Sequence, residues 1–264
     1  MAEPVPHLRA EIRGPVGWLI FDNPARRNAL TVGMWEAIPV EVDRLAQASD
    51  IRVVVLRGAG EVAFVSGADI SEFGKKRVDN AGLAHYDRIA GEAQDRLYEL
   101  AKPTVAMIRG FCFGAGVAVA ACCDIRIAAT SARFSIPAGK LGLGYRAEGI
   151  KKLMQLVGPA HTLDLFYTAR QIDAFEAQRI GLVEHVVPDD EIEAYVNSYC
   201  ERVAANAPLT LMAAKIAARE IARAGDDYNR EKCEQLVRRC FESEDYAEGL
   251  NAFGERRPPV FKGR

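Results

Sequence analysis

No apolar stretch of this chain is long enough to cross a membrane. The longest, residues 110–123, is closed off by Arg109 and Asp124 and falls short of the roughly 18 residues a span needs. Residues 1–14 carry no apolar signal core, so the chain is expected to stay in the cytoplasm where it is made. An excess of one charge is also lacking. Thirty-four Lys and Arg stand interspersed with 36 Asp and Glu, which leaves no electrostatic footprint for nucleic acid or an anionic membrane. None of the six cysteines forms a C-x-x-C pair, and they lie in apolar or amphipathic runs, the placement of buried thiols in a reducing compartment. The four histidines have no H-x-x-x-H spacing, so no metal site is expected. There is no G-x-S-x-G turn either, and with it no nucleophile elbow.

What is present is a globular composition: 264 residues, 49% hydrophobic and 27% charged, enough to bury a self-sufficient core. Residues 8–21 read as two strands split by Gly14-Pro15, a hairpin signal. Thr31 is placed to cap a helix through Met34, Ile38, Val42 and Leu45, with Pro39 marking a kink. Buried strands are expected over residues 51–56, 104–108 and 125–129, a short strand ending at Phe64, and a long amphipathic helix over 80–100. Residues 110–116 are expected to open a small-residue helix directly. Strands alternating with helices argue an α/β core. The last third is helical in pattern apart from residues 182–187, and a boundary near residue 200 is expected between an α/β body, residues 1–200, and a helical appendage, residues 201–264.

Two turns carry the chemistry. In Phe64-Val65-Ser66-Gly67-Ala68-Asp69-Ile70 a strand ends in small residues that let backbone N–H groups approach a ligand. In Arg109-Gly110-Phe111-Cys112-Phe113-Gly114-Ala115-Gly116 small residues open a helix, whose first N–H groups have no internal partner. Two such groups aimed at one oxygen form an oxyanion hole, with each donor worth about 3–4 kcal/mol to a developing negative charge.

These segments, with Asn23-Pro24, Arg27-Asn28-Ala29-Leu30, Cys123-Asp124-Ile125, Leu141-Gly142-Leu143, Thr168-Ala169-Arg170, Gly181-Leu182-Val183 and the tail over residues 253–263, resemble the crotonase superfamily, the enoyl-CoA hydratase/isomerase family, along essentially the whole chain. The resemblance implies an α/β spiral of ββα units and a C-terminal helical region that builds trimers or dimers of trimers. It also implies an acyl-CoA thioester as substrate, with coenzyme A entering as part of that substrate and no tightly bound cofactor. The oxyanion donors it implies are the N–H groups of Ala68 and Ala115. Ser66, Ala68 and Ile70 would follow the pantetheine arm, with Arg27, Ala29 and Lys262 toward the nucleotide end. Asp69, in the same turn, is counted with these coenzyme A-binding residues and is also expected to cap a helix.

The departures from that family's pattern are informative. Its hydratases carry two glutamates that activate water, and here those positions are Ala118 and Ala138. Acid–base help is worth about 10²–10⁴-fold, so hydration is disfavoured while an oxyanion-held enolate is retained. Decarboxylation of a malonyl-type thioester needs the enolate but no carboxylate pair. The run Leu141-Gly142-Leu143-Gly144-Tyr145 with Gly149-Ile150 resembles that of the family's methylmalonyl-CoA decarboxylases, which place a tyrosine where Tyr145 stands. Those enzymes differ in having a histidine at the Ala68 position and a glutamate at the Ala118 position. Two alternatives remain: double-bond isomerisation with Glu148 as base, flanked by Arg146 as a partner for it or for a substrate carboxylate, and an acyl-CoA-binding homologue without turnover. His85 lies near the region covering the acyl pocket in this family.

Overall fold

The computed structural model describes residues 7–72 and 80–264. Residues 1–6, the start of the segment read above as lacking a signal core, lie outside them. Strands β1 (His7–Arg13) and β2 (Val16–Asp22) pair antiparallel from His7↔Asp22 to Arg13↔Val16, the hairpin that Gly14-Pro15 announces. β2 continues into a mainly parallel sheet with β3 (Val53–Gly58), β5 (Thr104–Ile108), β7 (Ile125–Ala129) and β10 (His185–Val187), in the order β1-β2-β3-β5-β7-β10. The strand period of two divides its side chains between two cores. Trp18, Val53, Val55, Val105 and Met107 meet Ile192, Val196 and Cys200 of helix α7 (Ile192–Ala204) on one face. Leu19, Phe21, Val54, Leu56 and Ala106 meet α1 (Val32–Gln47) and α2 (Asn80–Glu99) on the other.

A second sheet, β4 (Ala63–Val65), β6 (Phe111–Phe113), β8 (Arg133–Ser135) and β9 (Ile172–Asp173), lies in that order beside the first. Each of β3, β5 and β7 is followed by one of its short strands and then by helix: α2 after β4, α3 (Ala115–Cys122) after β6, and α4 (Ala138–Leu141) with α5 (Ala147–Thr168) after β8. This is the expected ββα spiral. One local expectation is corrected, because residues 110–116 do not open a helix directly. Phe111 and Phe113 flank buried Cys112 in a strand paired with β8, and α3 begins only at Ala115. α1 runs as one helix through Pro39, with Thr31 Oγ1 accepting from Met34 N–H at 3.2 Å. α5 is broken instead at Gly158, before Pro159.

Residue 200 falls inside α7, so the packing changes later than the composition does. After α6 (Ala174–Arg179) and α7 come α8 (Pro208–Ala224), α9 (Arg230–Phe241) and α10 (Glu244–Glu255). α8 is seated on the body by charge. Lys215 Nζ lies 2.7 Å from Asp124 Oδ2 and donates to Lys102 O, while Arg219 reaches Asp124 Oδ1 at 2.6 Å and covers the Tyr98 ring. Burial pushes Lys215 down to about 8, against the pull of Asp124.

Candidate active site

The first turn is aimed by a loop that precedes it by some forty residues. Asn28 Nδ2 donates to Ala59 O and Ala63 O at 2.9 and 2.7 Å, and its Oδ1 accepts from Asn23 N–H. This ties residues 23–30 to the end of β3 and the start of β4. Leu30 then bridges Ala68 in parallel fashion: Leu30 N–H donates to Gly67 O and Asp69 N–H to Leu30 O, both at 2.8 Å. In a parallel bridge the middle residue's own N–H points the other way, so the Ala68 N–H faces away from this loop. Ala68 lines the main cavity.

The second turn meets the first through two glycines. Gly114 donates to Ser135 O at 2.8 Å and adopts φ 49°, ψ −108°, a conformation open to glycine. Ala115 follows as the first residue of α3, and its N–H is one that a helix start leaves without an internal partner. A Cβ at Gly116 would stand 2.2 Å from Val65 O. Only glycine lets α3 press this closely on the end of β4. A Cβ at Gly114 would lie 4.0 Å from Gly67 Cα and 3.6 Å from the Tyr145 hydroxyl. Both turns and the Tyr145 hydroxyl therefore converge on one place.

That place opens on a cavity of about 510 Å³. Ser66, Ala68, Ile70, Ala115, Ala118, Ala138, Tyr145 and Glu148 all line it, and at Ala118 and Ala138 the lining presents methyl groups. Tyr145 is oriented by edge-on packing against Phe166, with ring centroids 4.9 Å apart. Opposite the turns, α2 and the start of α5 form the wall. Trp35 Nε1 donates to the Tyr86 hydroxyl at 2.9 Å there.

Four of the expected binding residues lie off the cavity lining. Arg27 stacks its guanidinium 4.8 Å over Phe111. Ala29 is buried, and its carbonyl accepts from Asn23 Nδ2. Asp69 accepts from Ser71 N–H and Oγ at 3.0 and 2.6 Å, capping the turn Ile70–Glu72 as expected. Lys262 is held at the C-terminus, its N–H donating to Asp245 at 2.6 Å. Arg146 pairs with Asp87 of α2, Nε to Oδ2 2.8 Å, rather than with Glu148. His85 meets Glu36 and Arg88 outside the lining.

The sequence reading missed the α2 side of the cavity, and Lys152 with it. Lys152 stands four residues after Glu148 on α5, a helical spacing that signals a shared face. All six cysteines are free, and burial pushes the Cys122 thiol up to about 12, so it is not a nucleophile at neutral pH. Among the described residues no group of His, Cys, Asp and Glu could hold a metal ion, and no helix is long and apolar enough to cross a membrane.

A two-sheet ββα spiral that brings two backbone amides to the edge of an apolar cavity defines a protein of the crotonase class. Residues 11–264 match the model of the enoyl-CoA hydratase/isomerase family, and the chain belongs to that family. It is similar to a short-chain-enoyl-CoA hydratase of Clostridium acetobutylicum, 32% identical over 94% of both chains. Among solved structures it resembles an enoyl-CoA hydratase/carnithine racemase from Magnetospirillum magneticum, with a TM-score of 0.93 at 33% identity, covering 97% of this chain and 96% of that one. An enoyl-CoA hydratase from Bacillus anthracis matches with a TM-score of 0.88 at 29% identity, covering 97% and 99%. Members of the family are enzymes that act on coenzyme A thioesters without a tightly bound cofactor.

Proposed function

We propose that this protein converts a malonyl-type acyl-CoA thioester by decarboxylation through an oxyanion-held enolate. The observation that carries the reading is the pairing of two N–H groups, of Ala68 and Ala115, with a lining in which Ala118 and Ala138 offer no carboxylate. As the bond from Cα to the carboxylate breaks, carbon dioxide leaves and its electron pair passes through Cα to the thioester oxygen. The two amides stabilise that oxygen more than the ground-state carbonyl, which is what lowers the barrier. A proton then returns to Cα, and the Tyr145 hydroxyl beside Gly114 is the group that orients the substrate or relays that proton. Related proteins carry the name hydratase. The two alanines weigh against that reaction here.

Ser66, Ala68 and Ile70 flank the pantetheine arm in this reading. Arg27 and Asp69, next to the same turn, and Ala29 beneath it lie toward the nucleotide. Lys262 reaches the nucleotide phosphates within an assembly. A homotrimer or dimer of trimers is supported by apolar side chains left exposed on the C-terminal helices, Phe241, Leu250 and Phe253 among them. Six free thiols favour a reducing, cytoplasmic setting. One observation favours a second reading: Glu148 lines the same cavity, where a carboxylate base would support double-bond isomerisation.

Mass spectrometry in heavy water with saturated, enoyl and malonyl-type thioesters tests the proposal. Loss of carbon dioxide with one deuterium gained is the expected result. Deuterium entering an enoyl chain without water addition supports the isomerase, and water addition overturns both. Binding of coenzyme A thioesters with no mass change leaves an acyl-CoA-binding homologue without turnover.

A further inference from the structure

The main cavity does not end at its apolar part. A second cavity of about 130 Å³ adjoins it along the groove between α2 and α5, and Asp95, Glu148 and Lys152 line both. Tyr98, Lys151, Gln155 and Arg223 complete the second cavity. The groove runs from the oxyanion turns, past Tyr145 and Glu148, to this charged end. About 8 Å of helix rise separate the start of α5 from Lys152, within reach of a medium-length acyl chain.

Lys152 is the focus of this end. Its side chain is 11% exposed, yet its carboxylate partner among the described residues, Asp95 at 2.9 Å, is 65% exposed. An ammonium has three donors, and Asp95 takes the one hydrogen bond Lys152 makes among the described residues. The Tyr98 ring beneath it already faces Lys152, Arg219 and Arg223 at 5.5, 3.9 and 5.1 Å. Lys151, three residues after Glu148, forms no ion pair among the described residues. A mostly buried cation with spare donors gains most from an acceptor brought in by the ligand, because the alternative is an incompletely satisfied charge. The acids here are the better hydrated side, so a cationic ligand gains less.

We propose that the second cavity is the subsite for a carboxylate at the far end of the acyl chain, bound by Lys152 in exchange for Asp95. The substrate class is then the mono-coenzyme A thioester of a dicarboxylic acid. This distal carboxylate is retained in the product, separate from any carboxylate lost beside the oxyanion turns. The inference rests on the acyl-thioester reading of the site but not on which reaction follows.

Calorimetric titration of the full chain with two pairs, hexanoyl-CoA against adipyl-CoA and octanoyl-CoA against suberyl-CoA, tests it without requiring turnover. The carboxylate-ended member of at least one pair is expected to bind about tenfold or more tighter. K152M should remove most of that difference. D95N, which removes the competitor, should widen it, and this opposite sign keeps the test open if K152M fails to fold. Equal affinity within both pairs overturns the subsite alone, as does an equal loss for both members in K152M. Failure of every thioester to bind overturns the acyl-thioester reading as well.

Discussion

The two sides of the cavity are built from different materials. On one side the two turns supply backbone amides, and their positions are set by main-chain hydrogen bonds, by the Asn28 side chain and by the absence of side chains at Gly114 and Gly116. On the other, α2, α5 and the loop before α5 supply side chains: Tyr86 and Asp95, Glu148 and Lys152, and Tyr145. Under the proposed function the turn side serves as a general charge-stabilising device, and the helix side selects what is placed against it. A family can keep the first and vary the second, and under the proposed function Ala118 and Ala138 belong to that second kind of change even though both positions flank the turns.

The sharpest way to break this comparison is to remove one amide and leave its side chain nearly alone. Ala115→Pro does so at the first helical position, where proline is well tolerated. Turnover or α-proton exchange should fall about 10²–10³-fold, with thioester affinity changed far less. Equal losses in both would mean that the turn serves binding only. On the helix side, Tyr145→Phe removes one hydroxyl and should lower turnover about 10²-fold if it relays the proton, with little change in KM. An unaltered rate in stopped-flow assays would return the ring to packing on Phe166.

Gly116→Ala tests the geometry behind the first side. Its methyl meets Val65 O at 2.2 Å, so α3 must shift, and about 1–3 kcal/mol of stability should be lost in urea unfolding. Activity should fall along with it. The smallest effect concerns the backing of the helix wall, where Arg219 of α8 covers Tyr98 of α2 and Lys215 is buried beside it. Lys215 is held at about 8 when folded against 10.5 as its ordinary value. The unfolded chain therefore binds more protons between those values, and stability should rise with pH. The burial penalty is present in full below about pH 8 and relieved above it. Unfolding followed from pH 7 to 9.5 should show a gain of about 1–2 kcal/mol, and Lys215→Met should flatten it.

Much of the first side could be read from the chain alone. The hairpin at Gly14-Pro15, the Thr31 cap and strands β5 and β7 match their apolar runs and turn residues residue for residue or nearly so. The short strands β6, β8 and β9 were not readable in the same way. Elements such as Arg133–Ser135 and Ile172–Asp173 are too short for a period to show, and they exist because neighbouring strands offer them hydrogen bonds. The change in composition near residue 200 falls inside α7, whose buried stripe packs on the main sheet. Arg146 shows the same limit: proximity in sequence suggested Glu148, while the fold brought Asp87 nearer.

The order of small residues in Ser66-Gly67-Ala68 and Gly114-Ala115-Gly116 determined by itself that two stretches of backbone would be exposed to a ligand, because close approach and unusual dihedrals exclude larger side chains. It determined also that positions 118 and 138 carry no acid–base group, since Ala118 and Ala138 can neither donate nor accept a proton. Only the tertiary structure decided that Ala68 faces the cavity, through Leu30 bridging from a distant loop, and that Lys152 and Asp95 stand at its end. Those are juxtapositions of α2, α5 and α8, and no local pattern encodes them because the contacts join residues remote along the chain.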